Sequence, residues 1–315
     1  MSDAGRRVSL GLLVTFAVLS CGTVTQRGTC QPIGAGGTIQ THVYRVGPVD
    51  LPRLHHHPMV HASLAEVFAP GSPRFEIPMA DDAWLVAFVP RVVDQQGRPL
   101  PGALLHHAML LNRGSRPYRE EEPAPLISAA AAELMPVVLP HGYGIPLTGE
   151  DLLELRCMFH NPFPLDYAGV FFEVEMTFQY RREGVPDPKA VDVVLFSVEQ
   201  EGAGGGYWVP PGSHARSRDV QFPFAGTVVF LGAHLHAHAQ SLTFEDLTHG
   251  HLVWIARPRQ VRDGRLVHMP TWASATGWPV SPETRFRVTA RYDNPTPEPI
   301  DAMGFLAAFV APDGE

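Results

Sequence analysis

The chain has no basic block. Its 24 Lys+Arg stand against 32 Asp+Glu, a formal charge of -8 over 315 residues, which argues against nucleic acid as a partner because phosphate recognition needs clustered cations. Helical windows are scarce, whereas 31 prolines and 29 glycines punctuate short apolar runs, the composition of all-β sandwiches. Cysteine is limited to Cys21, Cys30 and Cys157, so a densely disulfide-stapled scaffold is excluded. No fixed-period repeat is present, and neither a Ser-His-Asp order nor a phosphate-binding glycine pattern stands out. The N-terminal apolar run is also too short to span a bilayer comfortably.

What is present begins with an address. Arg6 and Arg7 precede an apolar stretch from Val8 to Leu19, the layout of a targeting segment. Val18-Leu19-Ser20-Cys21 resembles a bacterial lipobox, which implies a lipid on Cys21 and export to the periplasm or cell surface, anchored to a membrane. The alternative is a plain secretory signal cleaved nearby. Cys30 and Cys157 are then left for one disulfide in an oxidising compartment.

The length predicts two domains. Residues 22–40 read as a tether, and the stretch from His42 to His61, with His55-His56-His57, as a solvated loop. The N-terminal domain is assigned to 41–183, with clear strands at Phe75 to Met79 and Ala83 to Val89, closed by Pro90 and Gly97. Leu126 to Met135, rich in alanine, reads as the one helix. On the predicted strand from Asp151 to His160, alternation puts Leu153, Leu155, Cys157 and Phe159 on one face and Glu154, Arg156, Met158 and His160 on the other. Breakers and charges at Arg181 to Pro188 mark the boundary. The C-terminal domain is assigned to 184–315, with strands at Val191 to Val198, Val220 to Phe224, Thr227 to His236, Ser241 to Leu247, Leu252 to Ala256, Arg285 to Tyr292 and Gly304 to Val310.

Sixteen histidines fall in clusters. His234, His236 and His238 extend an apolar strand at alternate positions, so their rings share a face, a sound start for a transition-metal site. His106 and His107 interrupt an apolar strand. Adjacent side chains point to opposite faces, so joint ligation there requires a bulge, a strong twist or a ligand at the strand end. His249 and His251 read as an exposed hairpin turn, Glu245, Asp246 and Asp293 as surface carboxylates, and Gly202 to Gly206 as a flexible loop.

Three ordered stretches together resemble the type II copper, ascorbate-dependent monooxygenases, the family of peptidylglycine α-hydroxylating monooxygenase and dopamine β-monooxygenase. Leu85 to Arg91 ahead of His106-His107-Ala108-Met109-Leu110-Leu111 is similar to that family's strand and His-His-Met-Leu-Leu motif. His234-Leu235-His236 is similar to its His-Thr-His motif, and Ile300-Asp301-Ala302-Met303 resembles the segment that supplies a methionine ligand. The resemblance covers about Phe75 to Val310. It implies two tandem jelly-roll-like β-sandwich domains facing each other across a cleft, with one copper on each. His234, His236 and Met303 would bind the copper that meets dioxygen; His106 and His107 would hold the copper that stores an electron. Ascorbate would reduce both, and a C–H bond of a small organic substrate would be hydroxylated.

The departures are specific. Where the family has the third ligand of the electron-storing copper, this chain has Met158, with His160 two residues on; either Met158 ligates, or His160 moves in, or the site is weakened. The peptide-amidating branch holds its substrate carboxylate with an arginine where Gly232 stands and a tyrosine where Ala307 stands, which argues against peptide amidation. Two functions follow: a turning-over copper monooxygenase, or a copper-binding surface lipoprotein on the same scaffold. A zinc hydrolase would also need a positioned general base, and none is evident.

Overall fold

The computed structural model describes residues 31–32, 39–54, 72–114, 126–199 and 206–314. The targeting segment, Cys21, Cys30, most of the tether, the His55 to His61 stretch and all but the last residue of the Gly202 to Gly206 loop lie outside them.

The first half contains β1 (Gln31–Pro32), β2 (Ile39–Leu51), β3 (Arg74–Pro78), β4 (Ala83–Val93), β5 (Leu105–Asn112), β6 (Leu126–Ala131), β7 (Val137–Val138), β8 (Tyr143–Leu147), β9 (Leu152–Phe159), β10 (Tyr167–Tyr180) and β11 (Lys189–Ala190). The second contains β12 (Asp192–Ser197), β13 (Gly206–Val209), β14 (Gly212–Val220), β15 (Gly226–Leu235), β16 (Ala239–Asp246), β17 (His251–Ala256), β18 (Arg259–Gln260), β19 (Leu266–His268), β20 (Trp272–Val280), β21 (Phe286–Asn294) and β22 (Ile300–Pro312).

Apart from short flanking strands, both halves order their strands alike. The first pairs β2-β10-β4-β8 in one sheet and β3-β9-β5-β6 in the other; the second pairs β12-β22-β15-β20 and β14-β21-β16-β17. Counted from one to eight within each half, both read 1-8-3-6 and 2-7-4-5, the two-sheet jelly roll. The fold is therefore all-β, two tandem jelly-roll β-sandwiches.

The likeness extends to a buried detail that no sequence period announces. In each half an Asn-Pro pair closes strand seven, Asn161-Pro162 two residues past β9 and Asn294-Pro295 at the end of β21. Asn161 Nδ2 donates to the carbonyls of Leu51, Pro52 and Leu165, and Asn294 Nδ2 to those of Val209 and Glu298. Each Oδ1 accepts the backbone N–H two residues on, from Phe163 and Thr296, an Asx turn. Both asparagines are buried, and each satisfies loop carbonyls that would otherwise be stranded.

Leu153, Leu155, Cys157 and Phe159 face the core as alternation predicts. Cys157 is a free, fully buried thiol. On the opposite face Glu154 and Met158 are buried and Arg156 and His160 partly so, with Glu154 paired to Arg113 and Arg156.

Several expectations are corrected. Leu126 to Met135 is no helix: β6 pairs with β5, and only a turn follows. The supposed tether and loop yield β2, whose Tyr44, Val46 and Leu51 are core residues. Pro90 lies inside β4, beyond the residues that β7 and β8 pair with, where one edge is open and a missing N–H costs little. β14, not Val220 to Phe224, is the strand in that region; Phe222 is a buried residue after it. β11, which follows Arg181 to Pro188, pairs with β8 of the first sandwich. Asp246 is buried rather than superficial, accepting from the His249 backbone and ring.

Candidate metal centre

A bulge on β5 solves the problem of two adjacent histidines. Leu105 pairs with Phe159 and His107 with Met158, so two steps on β5 answer one step on β9 and His106 is the extra residue. Such an insertion bends the strand and re-aims side chains. The His106 and His107 ring centroids come within 4.3 Å.

From the other half, β15 ends at Leu235, placing His234 just inside the strand and His236 just beyond it. His236 stays in place because its backbone N–H donates to Tyr292 Oη at 2.9 Å. The same hydroxyl donates to the Met303 carbonyl and accepts the Met303 N–H. A fully buried phenol thus ties together the backbones of His236 and Met303, and burial drives its pKa upward, keeping it a donor.

The two pairs meet. His107 lies 5.2 Å from His234 and 6.5 Å from His236 between ring centroids, and His106 lies 6.3 Å from His236 and 5.1 Å from His160. His234 and His236 are 5.2 Å apart. Ring nitrogens of His106, His107 and His236 fall within 4.8 Å of one another, although they come from different sandwiches. The histidines of the two sandwiches form a single layer on the seam.

Two carboxylates set the protonation pattern. His234 Nδ1–H donates to Glu133 Oε1 at 2.9 Å, and His236 Nδ1–H to Asp301 Oδ2 at 2.8 Å. A proton held at Nδ1 leaves Nε2 as a lone pair, the tautomer and bracing that metal-bound histidines use. The Nε2 atoms of His234 and His107 are buried without a hydrogen-bond partner. His107 is held neutral: burial, then the neighbouring imidazoles, pushes its pKa well below the usual histidine value. Unsatisfied buried nitrogens cost free energy unless something accepts their lone pairs, and a metal ion does.

Of the sulfurs, Met158 Sδ lies 2.9 Å from His106 Nδ1. Met303 is buried and lines the same pocket as His107 and His234. His160 and Met158 both approach His106, so the structure brings in both alternatives for the third position. His238 leaves the group: it turns to a positive φ of 67°, its N–H donates to the Gly264 carbonyl, and its ring packs so closely on Gly264 that a Cβ there would lie 2.2 Å from it. His249 stays in the exposed hairpin with Asp246.

Sequence reasoning missed Glu133, Tyr292 and the carboxylate role of Asp301. Glu133 carried a signal: it is the single charged residue between Leu126 and Leu139, a carboxylate set in an apolar stretch.

Two cavities touch the layer. An open cleft of about 400 Å³ reaches His106, His160, His234 and His236 and is flanked by Arg265, Asp301 and Trp208. On the other side an apolar pocket reaches His107, His234 and Met303. Glu133 and His234 border both.

No family model matches the chain, and no curated protein matches it. Among solved structures, the chain is similar to the major capsid protein P2 of bacteriophage PM2 at 8% identity and a TM-score of 0.34, covering 87% of this chain and 98% of that one. Sulfolobus turreted icosahedral virus gives 9% and 0.21 over 86% of this chain and 61% of the other. Infectious bursal disease virus, Gx strain, gives 10% and 0.22 over 93% and 74%.

Proposed function

We propose that the histidine layer is a copper centre and that the protein is a copper-dependent monooxygenase-like enzyme, using dioxygen and a reductant such as ascorbate to hydroxylate a C–H bond of a small organic substrate. The observation that carries this reading is the pair of buried, unpartnered Nε2 atoms on His107 and His234, one from each sandwich, with His234 braced by Glu133. The donor set suits copper: imidazole serves both oxidation states, and the thioethers of Met158 and Met303 favour the reduced one. His106, His107 and Met158 or His160 would hold copper from the first sandwich, and His234, His236 and Met303 from the second, two ions in all.

Copper would supply electron transfer and dioxygen activation, with one oxygen atom entering the C–H bond and the other leaving as water with two electrons and two protons from the reductant. The chain's own part is placement. Glu133 and Asp301 fix the imidazole tautomers, Tyr292 holds His236 and Met303 in register, and the apolar pocket keeps water from the reacting side. The Met1 to Cys21 pattern supports an exported, lipid-anchored protein.

Met158 against His106 favours a second reading, a copper-binding lipoprotein that holds the reduced ion without turnover. Copper content combined with ascorbate-dependent oxygen uptake separates the two. The enzyme binds close to two coppers and consumes oxygen, and His234→Ala abolishes the uptake. Bound copper with no uptake leaves the second reading, and no bound copper ends both.

A further inference from the structure

The apolar pocket carries information about what the centre acts on. Its walls come from β5, β6, β12, β15 and β22, with Met109, Leu126, Leu195 and Phe305 among the lining, and neither lysine nor arginine faces it among the described residues. At Gly232 the wall carries no side chain of its own, and Met135 occupies the space: a Cβ there would lie 2.5 Å from Met135 Cε and 2.8 Å from its sulfur. A thioether fills that space, and Ala307 adds only a methyl to the wall. Nothing here pairs with a ligand's carboxylate.

The pocket is not without polarity. Ser128 Oγ and Glu133 Oε2 border it, buried and without hydrogen-bond partners. Glu133 is occupied only through Oε1, by His234. A buried carboxylate oxygen is an acceptor that something should satisfy, so the bound molecule should bring a donor.

We propose that the pocket binds a small, uncharged, hydrocarbon-rich alcohol, its hydroxyl donating to Glu133 Oε2 and its chain lying along the β6, β12 and β22 walls. The inference rests on the copper reading for its consequence, hydroxylation of that chain, but its binding step stands without metal. The pocket measures about 100 Å³, so it encloses a short aliphatic segment while the rest of the ligand lies toward the mouth beside Leu195. A carboxylate would find neither lysine nor arginine to pair with and would shed its hydration among apolar side chains. A protonated amine would shed its hydration in a largely apolar chamber, and in the copper-loaded chain it would also meet like charge.

The test is calorimetric titration of the metal-free and copper-loaded full chain with 1-pentanol, pentylammonium and pentanoate. Pentanol should bind at least ~10-fold tighter than either ion in both forms. Ala307→Phe should remove that binding. Leu195→Glu, at a mouth position already 40% exposed and so tolerant of charge, should weaken it ~5-fold or more. Equal affinities for the three compounds, a preference for the ammonium, or pentanol binding indifferent to both substitutions overturns the proposal. Copper retained without pentanol binding defeats the pocket and spares the metal reading. Pentanol bound by a chain that takes no copper does the reverse.

Discussion

The two sandwiches share a strand order, yet they deliver their histidines by different means. In the second half, alternate residues at the end of strand three turn one face to the seam, as a regular strand allows. In the first, adjacent residues on strand four share a destination because a bulge inserts His106. The pairs also lie in different sheets of the jelly roll, 1-8-3-6 in one half and 2-7-4-5 in the other. The centre is therefore not one half-site repeated. Two unlike solutions meet at a shared layer, and the regular one is braced by a carboxylate from each sandwich, Glu133 and Asp301.

The sharpest way to break that comparison is to remove one ring from each side. His107→Ala and His234→Ala should each lower copper affinity by ~100-fold or more, with both bound coppers affected in either variant because the rings form one layer. Copper titrations in which each substitution empties only its own half would restore two independent sites. Deleting His106 sharpens the role of the bulge. The shorter β5 regains regular pairing, and copper binding should fall more than in His106→Ala, which keeps the insertion; equal losses would mean the bulge serves only to carry a ring. Glu133→Ala and Asp301→Ala test the bracing. Each should weaken copper by ~10–100-fold while circular dichroism stays unchanged, and wild-type affinity in both would remove the carboxylates from the centre. The smallest effect concerns what the halves have in common. Asn161→Ala and Asn294→Ala should each cost about 1–3 kcal/mol in chemical denaturation, and a large cost at one with none at the other would show the two hubs to be unequal.

The readable parts of the sequence were those where burial is one-sided and regular. Alternation on β9 separated Leu153, Leu155, Cys157 and Phe159 correctly, and β15, β16, β21 and β22 followed from apolar runs. β14 and β20 were missed because most of their residues are exposed or only half-buried and, as in Ser213-His214-Ala215-Arg216, need not be apolar. Alanine's helix preference misled at β6, where pairing to β5 overrode intrinsic propensity. The histidines were visible, and so was the condition that joint ligation by His106 and His107 requires a bulge, a strong twist or a ligand at the strand end. That the two pairs would touch was not, since only the packing of one sandwich on the other brings them together. Glu133 and His234 are 101 residues apart, and no local pattern links them.

The seam has a thermodynamic consequence. Because histidines from both sandwiches converge, binding of the proposed ion and closure of the two halves would be one linked equilibrium, with the ion as a clasp. At a hundredfold excess over its dissociation constant, a ligand that recognises only the closed form adds about 2.7 kcal/mol to it. Stripping the metal should therefore loosen the docking of two otherwise intact sandwiches before it unfolds either.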